Sequence, residues 1–330
     1  MDLSTSYLGL KLSSPFVIGA SPFGDDTYTA QQVEDAGAGA IVMRSLFEEQ
    51  IYLDALSHAP QGCLPLLRSD QPNPVYPTPP EYQLDPERYL RQIAELKSAL
   101  AIPVIASLNG CRPGGWISFA QRFEAAGADA IELNLYHFPT DAELSASEVE
   151  AEMLETVRLL KASVRIPVAV KLQPYFTALA HFARELERIG VDGIVLFNRP
   201  YQSDFNVDDQ STVTELRLSE PAEALLRMRW LALLAPKTHC SLAITGGVHN
   251  GKDAIKAILA GAHAVQLVSV LLKHGPRFLG TLADGLRRWM GQHGYRGLAD
   301  FRGKMNLHGS GDETAVERGD YQRVLQIWKI

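Results

Sequence analysis

One pattern recurs four times along the chain: the end of an amphipathic helix, a glycine, and then a short apolar strand. The four copies are EDAGAGAIVM (34–43), EAAGADAIELN (124–134), ERIGVDGIVLFN (187–198) and LAGAHAVQLV (259–268). Glycine at a helix end indicates a residue in the left-handed conformation, which commonly closes helices. Each copy therefore predicts a helix that stops sharply and a buried strand that follows within a few residues.

Strands of a second kind alternate with these four, and each has proline or serine just before the apolar run, proline in three and serine in the fourth. They are SSPFVIGAS (13–21), AIPVIASLN (101–109), RIPVAVKLQ (165–173) and CSLAITGG (240–247). Helical patterns fill the gaps, as at 86–100, 147–163, 178–190 and 251–261. Apolar strands separated by helices are typical of a parallel sheet covered on both faces. Eight such units predict a (β/α)8 TIM barrel, forming one domain over residues 1–330.

The alternative architecture is an open, doubly wound α/β sheet. No strand is followed by the GxGxxG fingerprint of dinucleotide-binding sheets, which favours the barrel. Two connections are long: the proline-rich segment 45–86 after strand 2 and the polar segment 199–219 after strand 6. Both lie at the face where barrel active sites are built, so we expect lids or interfaces there. We expect the tail, 307–330, to cap the barrel or reach a second subunit.

Bulk properties exclude several classes of protein. The net charge is −7 and no basic run occurs, which argues against a nucleic-acid partner. Cys63, Cys111 and Cys240 lie far apart without a CxxC pair, which argues against a disulfide framework, a metal site or an iron–sulfur cluster. Neither a leader-like start nor an apolar stretch of about 20 residues is present, so we expect a cytoplasmic protein without a membrane segment.

Polar residues end all eight predicted strands. At the carboxyl end of a barrel strand such side chains point toward the ligand. A polar group at every end is hard to explain as packing. In strand order these residues are Ser21; Arg44 and Ser45; Ser107 and Asn109; Asn134; Lys171; Asn198; Thr245, Gly246 and Gly247; and Ser269.

Two of these strand ends indicate particular chemistry. Lys171 ends the apolar run VAVKL. It could reach solvent at the rim, supply a fixed cation for an anionic ligand, or act as a Schiff-base amine. The stretch TGGV (245–248) is a glycine turn that opens onto a helix start, and exposed backbone N–H groups there predict a phosphate site. Ser269, after the next strand, is positioned to join it.

These stretches resemble the dihydroorotate dehydrogenases, flavin enzymes on a (β/α)8 barrel. The likeness runs from LGLKLSSPFVIGAS (8–21) to GYRGLADFRGKMN (294–306). The ending GYRGLADFRGK is most similar to the cytosolic, fumarate-linked class. The likeness is most specific at IELN (131–134), VKLQPYF (170–176), ITGGVHNGKDA (244–254) and AVQLVSVLLKHGP (264–276).

The resemblance implies a flavin mononucleotide (FMN) cofactor. It places Lys171 beside N1 and the C2 carbonyl of the flavin, where reduction puts negative charge, and a cation there favours hydride acceptance. It gives Gly246, Gly247 and Ser269 to the phosphate. The positions that it places around the cofactor are Ala20, Ser21, Ser45, Asn109, Asn134, Lys171, Asn198, Thr245, Gly246, Gly247, Val268 and Ser269.

The chain departs from the family pattern on the substrate side. Arg44 stands where the family has a lysine, which keeps the charge but changes a point charge to a planar fork. The family motif Asn-Leu-Ser-Cys-Pro-Asn becomes NLYHFP (134–139), so His137 takes the place of the cysteine base. Arg199 replaces a small hydroxyl residue. Our hypothesis is that His137 is the general base, because an unperturbed pKa near ~6.5 suits proton abstraction at neutral pH. The alternative is a surface histidine without a chemical role.

The resulting prediction is an FMN-dependent oxidoreductase that oxidises a CH–CH bond of a small anionic substrate, dihydroorotate or a related dihydro-acid. The candidate catalytic residues are His137, Lys171 and Arg44, and the candidate substrate residues are Arg44, Asn134, Asn198 and Arg199. Two other functions stay open: a Schiff-base lyase or aldolase that uses Lys171, and a flavin-binding protein without turnover. The resemblance favours a homodimer. Electrons would leave to a small oxidant or to an electron-acceptor protein.

Overall fold

The computed structural model describes residues 1–58, 85–199, 204–213, 215–307 and 313–327. Its centre is a closed barrel of eight parallel strands, as predicted. The strands of the described residues, numbered in chain order, are β1 (Thr5–Tyr7), β2 (Leu10–Leu12), β3 (Phe16–Ile18), β4 (Ala40–Phe47), β5 (Val104–Asn109), β6 (Ala130–Asn134), β7 (Val168–Leu172), β8 (Gly193–Leu196), β9 (Asp204–Asn206), β10 (Ser211–Val213), β11 (Ser241–Thr245) and β12 (Ala264–Leu267). The barrel order is β3-β4-β5-β6-β7-β8-β11-β12, with β12 pairing back to β3.

Helices follow the barrel strands and cover their outer face. They are α1 (Thr27–Asp35), α2 (Glu48–His58), α3 (Pro86–Ala99), α4 (Ser118–Ala125), α5 (Ala146–Ser163), α6 (Leu179–Ile189), α7 (Ala224–Leu234), α8 (Gly251–Ala260), α9 (Ser269–His274), α10 (Phe278–Gln292) and α11 (Glu313–Ile327). The outward residues of each strand pack with the apolar stripes of these helices into one large core. The four repeated glycines have positive φ, from 94° at Gly190 to 127° at Gly261, which confirms the predicted left-handed helix ends.

The amino end of the barrel is closed by the antiparallel hairpin of β1 and β2. Tyr7, Leu8 and Leu12 of this hairpin are buried against the inward side chains of the strands. Five of those inward residues are alanines, and their small side chains leave room for the plug. A dry apolar floor therefore lies beneath the polar residues at the opposite end.

The segment after the second barrel strand differs from the prediction. Arg44 and Ser45 lie inside β4, which continues to Phe47 past a register shift between Val42 and Ser45. Residues 48–58 then form α2, so the first part of the long connection 45–86 is a helix. Two acidic residues in the first turn, Glu48 and Glu49, favour the helix start. The prolines of this segment, and Cys63, fall in 59–84, outside the described residues.

The segment after the sixth barrel strand and the chain end also contain structure. Strands β9 and β10 pair as an antiparallel hairpin within 199–219. The tail after residue 307 contains α11, whose described side chains from 321 to 327 are exposed. Those side chains do not cap the barrel, so the question of a second subunit stays a prediction. Within the described ranges, no helix is both long and apolar enough to cross a membrane.

Candidate active site

Three charged or amide side chains occupy the interior of the barrel above its apolar floor. Glu132, Lys171 and Gln266 each interrupt an otherwise apolar strand, and none is more than 8% exposed. The Lys171 ammonium lies 3.3 Å from Glu132 Oε1, and Gln266 Nε2 donates a hydrogen bond to Glu132 Oε2. Below them, burial and the Glu132 charge raise the pKa of the Tyr7 phenol well above its usual range. The three side chains form one buried network, which we call the barrel triad.

The barrel triad is an expensive arrangement in a protein interior. Desolvating two charges costs several kcal/mol each, and their attraction repays this only with good geometry. The triad also narrows the chemistry of Lys171, because an ammonium ion-paired with a carboxylate has no lone pair with which to attack a carbonyl. The contact with Glu132 therefore favours the fixed-cation interpretation over the Schiff-base lyase.

Buried polar atoms without partners surround Lys171. Within the described part of the chain, Ser21 Oγ, Asn134 Oδ1, Gln173 Oε1 and Gln266 Oε1 are buried and make no hydrogen bond. Leaving such a group unsatisfied costs about 1–3 kcal/mol, so several at one place indicate a ligand that supplies the partners. Asn134 pairs with Lys171 in the strand register, Gln173 follows Lys171 by two residues, and Gln266 is linked to Lys171 through Glu132.

The other predicted residues of β3 and β4, the first two barrel strands, lie at the same end of the barrel. Ser45 Oγ lies 2.8 Å from Ser107 Oγ across β4 and β5. Ala20 packs beside the inner face after β3. A Cβ built on Gly19 would lie 2.9 Å from Cγ2 of Val268, which shows how closely the ends of β3 and β12 approach.

The glycine turn after β11 has the conformation that was predicted. Gly246 and Gly247 have φ of 88° and 80°, and a Cβ on Gly247 would lie 2.4 Å from the backbone nitrogen of Ala224. Ser219 joins this turn to the end of β12. The Gly247 N–H donates to Ser219 Oγ, and the Ser219 N–H donates to Ser269 Oγ at 2.9 Å. Gly246, Gly247 and Ser269 therefore meet at one place.

A buried arginine lies against this turn. Arg227 Nε donates to the Thr245 carbonyl at 2.6 Å, and its side chain is only 6% exposed. Burial lowers the pKa of the guanidinium, and Glu223 at 3.6 Å offsets part of this effect. The Arg227 guanidinium therefore lies against the turn. Helix α8 begins at Gly251, four residues after Gly247, and Asn250 is its N-cap.

The two rim arginines are paired with carboxylates. Arg44 Nε lies 2.8 Å from Asp25 Oδ1, with both side chains substantially exposed, and Arg199 Nε lies 3.5 Å from Glu223 Oε2. The Asn198 N–H donates to the Leu172 carbonyl, which ties the end of β8 to β7. The structure therefore places Arg199 close to the glycine turn and Arg44 at the outer rim.

Sequence comparison agrees with this architecture. The family model for dihydroorotate dehydrogenase matches residues 85–290, more than half of the chain. The chain belongs to the dihydroorotate dehydrogenase family. This confirms the predicted resemblance, and membership makes the protein a flavin-dependent oxidoreductase that acts on CH–CH groups.

Three relatives cover nearly the whole chain of this family member. The putative dihydroorotate dehydrogenase A (fumarate) of Aeropyrum pernix is 30% identical over 92% of this chain and 97% of its own length. The catalytic subunit of dihydroorotate dehydrogenase B (NAD(+)) of Thermoplasma volcanium is 26% identical over 92% and 98%. The PreA subunit of NAD-dependent dihydropyrimidine dehydrogenase of Escherichia coli is 25% identical over 92% and 77%.

In this dihydroorotate dehydrogenase family member, His137 lies three residues after β6, on the loop above the barrel triad. Gln173 Nε2 donates to the His137 carbonyl at 2.7 Å, which holds the loop against the end of β7. His137 Nδ1 lies 3.5 Å from the Cys111 thiol, which is also 3.7 Å from Glu48 Oε1. Burial and the nearby Arg112 lower the pKa of His137, so its imidazole is neutral at physiological pH.

Several residues of the site were missed at the sequence level. Glu132 and Gln266 had a signal: each is the one polar side chain inside an apolar run, as Lys171 is. Arg227 lies within a largely apolar helix and Ser219 ends a polar loop, so neither had a specific signal. Glu48 had no sequence signal, because it lies in a segment expected to be loop.

Proposed function

We propose that the protein is an FMN-dependent enzyme that oxidises the CH–CH bond of a small anionic dihydropyrimidine or related dihydro-acid, with dihydroorotate as the first candidate. The observation that carries this proposal is the barrel triad together with four unpartnered buried polar atoms, one of them Gln266 Oε1 of the triad itself. A buried cation with unsatisfied amides around it fits the polar edge of a flavin, which presents carbonyl acceptors and an N–H donor.

The described residues fit FMN at both of its ends. Lys171 would face the edge of the ring that becomes negatively charged, and Asn109, Asn134, Gln173 and Gln266 would satisfy its polar edge. The phosphate would be held by the N–H groups of the glycine turn, by Ser269 and by the charge of Arg227. Ala20, Ser21, Ser45, Thr245 and Val268 would complete the walls. When bound, FMN accepts the hydride that leaves the substrate carbon.

The chain itself supplies the base and the electrostatics. His137 would remove the proton from the neighbouring substrate carbon, and a neutral imidazole is the form able to do so. Asn134 and Asn198 would hydrogen-bond the substrate. Arg199 and Arg44 would attract its carboxylate, with Arg199 closer to the ends of β8 and β11.

The electron acceptor and the assembly belong to the same proposal. Relatives carry fumarate or NAD(+) in their names, so members of this family differ in acceptor. We propose a small oxidant or an electron-acceptor partner protein here, a homodimer as the assembly, and the cytoplasm as the location. If dihydroorotate is the substrate, the enzyme serves pyrimidine biosynthesis.

An anaerobic screen tests the proposal. Purified protein is mixed with dihydroorotate, dihydrouracil and related dihydro-acids while the flavin absorbance is followed. We expect protein that is yellow as isolated and a carboxylate-bearing dihydro-acid that bleaches it. Flavin that no dihydro-acid bleaches would indicate a binding protein without turnover. Colourless protein, trapped by borohydride with a carbonyl compound at Lys171, would establish the lyase instead.

A histidine variant tests the base. His137→Ala should lower the rate of flavin reduction by about 10²–10⁴-fold, the usual contribution of general base catalysis. His181→Ala is the matched control, because His181 is an exposed helix histidine whose Nε2 lies 3.9 Å from Glu185 Oε1. Stopped-flow absorbance measures both variants, and an unchanged rate in His137→Ala would remove the residue from the mechanism.

A further inference from the structure

Glu48, Cys111 and His137 come from the ends of three neighbouring barrel strands. Glu48 begins α2 directly after β4, Cys111 lies two residues after β5, and His137 three residues after β6. Behind Cys111 lies the buried hydroxyl of Thr156, on α5, 3.2 Å from the Cys111 carbonyl oxygen and 2.9 Å from the Glu152 carbonyl oxygen, between which its single proton is shared. We call these three residues the thiol cluster.

Counting protons fixes the direction of the hydrogen bonds in the thiol cluster. The Cys111 thiol lies within reach of two acceptors, Glu48 Oε1 at 3.7 Å and His137 Nδ1 at 3.5 Å, but it has a single proton. When Glu48 is ionised it can only accept, so both contacts are hydrogen bonds only when the thiol donates to Glu48. The sulfur must then accept from His137 Nδ1–H, which leaves Nε2 without a proton. Nε2 has no hydrogen-bond partner among the described residues.

Resting on the assignment of His137 as base, we propose that Cys111 and Glu48 are positioning residues that set the tautomer of His137 and take up the proton it removes. In the forward step Nε2 receives a proton from the substrate carbon. The Nδ1 proton passes to the sulfur, and the thiol proton passes to the Glu48 carboxylate. One proton enters the thiol cluster and one carboxylate becomes a carboxylic acid, so no charge remains on the imidazole or the sulfur.

The surrounding charges explain why such a relay is favourable. Burial and Arg112 disfavour an imidazolium at His137, while Glu152, 3.8 Å from Arg112, opposes the effect of Arg112. A thiolate is disfavoured as well, because burial and Glu48 raise the pKa of Cys111 to about 12. Passing the proton onward avoids both of these states.

Glu48 is suited to be the end of the relay. Burial and the neighbouring Glu49 raise its pKa to about 7, against hydrogen bonds from Cys111 and the charge of Arg112. Its side chain is partly exposed, so a proton can reach solvent. Above about pH 7 the carboxylate accepts from the thiol and Nε2 is free. Below it, Glu48–OH donates to sulfur, the thiol donates to Nδ1, and the histidine must carry its proton on Nε2, where it is not a base.

Nitrogen NMR of the holoenzyme labelled with ¹⁵N-histidine tests the tautomer without any substrate. His137→Gln identifies the resonances. We expect the Nδ1–H form to predominate at pH 8 and to convert toward the Nε2–H form as the pH falls through about 7. Cys111→Ala and Glu48→Gln should abolish this conversion. Cys111→Ser, which keeps one proton and two acceptor sites, should retain it. Glu49→Gln should also retain it, with the midpoint moved to lower pH, because the Glu49 charge raises the pKa of Glu48.

The same variants are then compared in flavin reduction by dihydroorotate. In the wild-type enzyme we expect the rate of flavin reduction to rise with pH through about 7. In Glu48→Gln this rise should move to lower pH, toward the lowered pKa of His137. Cys111→Ala should lower the rate of flavin reduction by about tenfold or more, because the base is no longer held in its reactive tautomer. Cys111→Ser should keep most of the wild-type rate.

The two readouts separate the possible failures. If the His137 tautomer still converts with pH as in the wild type in both Cys111→Ala and Glu48→Gln, the relay is overturned, whatever the activity. If the variants change the tautomer conversion but leave the pH dependence of flavin reduction unchanged, the catalytic role of the relay is overturned. If dihydroorotate does not bleach the flavin at all, the proposed substrate fails, and the NMR result still decides whether the thiol cluster sets the histidine.

Discussion

At the scale of single residues, the most informative feature is a charged pair placed where charges are costly. Lys171 and Glu132 lie in the barrel interior, with side-chain exposures of 10% and 1%. Apolar side chains of similar size would satisfy the interior at least as well, since buried pairs rarely stabilise a fold more than their isosteres do. The pair is therefore better explained by what it does to a ligand than by what it does for folding.

This interpretation predicts that a single substitution lowers the stability and that a second substitution restores it. Lys171→Met leaves Glu132 charged and unpaired, so the free energy of unfolding should fall by about 3–5 kcal/mol. Adding Glu132→Gln removes the stranded charge and should recover most of that loss. Flavin reduction should stay impaired in both, because neither contains the cation. Urea unfolding and stopped-flow absorbance check the pair, and recovery of flavin reduction in the double variant would contradict the role of Lys171.

At the scale of elements, one turn between β11 and α8 combines a backbone requirement with a binding function. The positive φ of Gly247 suits glycine, and a side chain there would meet the backbone of Ala224. Ser219 and Ser269 then link the turn to two other strand ends. A change in this turn should affect the phosphate end of the site and leave the barrel triad in place.

Gly247→Ala should accordingly weaken FMN binding by at least tenfold and lower thermal stability. Gly9→Ala is the matched control: its φ of 76° is similarly unfavourable for alanine, but a Cβ there would meet nothing within 4 Å, and the hairpin lies at the opposite end of the barrel. Equilibrium flavin titration of the apoproteins measures the difference. Equal FMN affinity in the two variants would mean that the turn does not hold the cofactor.

At the scale of the whole molecule, the barrel separates stability from function along its axis. One end is plugged by Tyr7, Leu8 and Leu12 on a floor rich in alanine, and at the strand ends opposite, Ser21, Asn134 and Gln173 have buried polar atoms without partners. A ligand that satisfies those atoms binds the folded chain alone and therefore stabilises it.

Removal of FMN should therefore lower the free energy of unfolding measurably. At a free FMN concentration one hundred times the dissociation constant, the expected stabilisation is about 2.7 kcal/mol. Urea unfolding of apoprotein with and without added FMN measures it, and riboflavin, which lacks the phosphate, should stabilise less at the same concentration. Equal stabilisation by riboflavin and FMN would argue against the phosphate site at Gly246 and Gly247.

The sequence alone determined the barrel, because its evidence is local and repeated: a glycine that ends each helix, an apolar strand after it, and a polar residue where the strand stops. The same rule located Lys171, Asn134 and the glycine pair. Only the tertiary structure decided which polar residues meet. Glu132 reaches Lys171 from 39 positions away and Gln266 reaches Glu132 from 134 away. Cys111 joins Glu48 to His137 because closure of the barrel, not nearness along the chain, makes three strand ends neighbours.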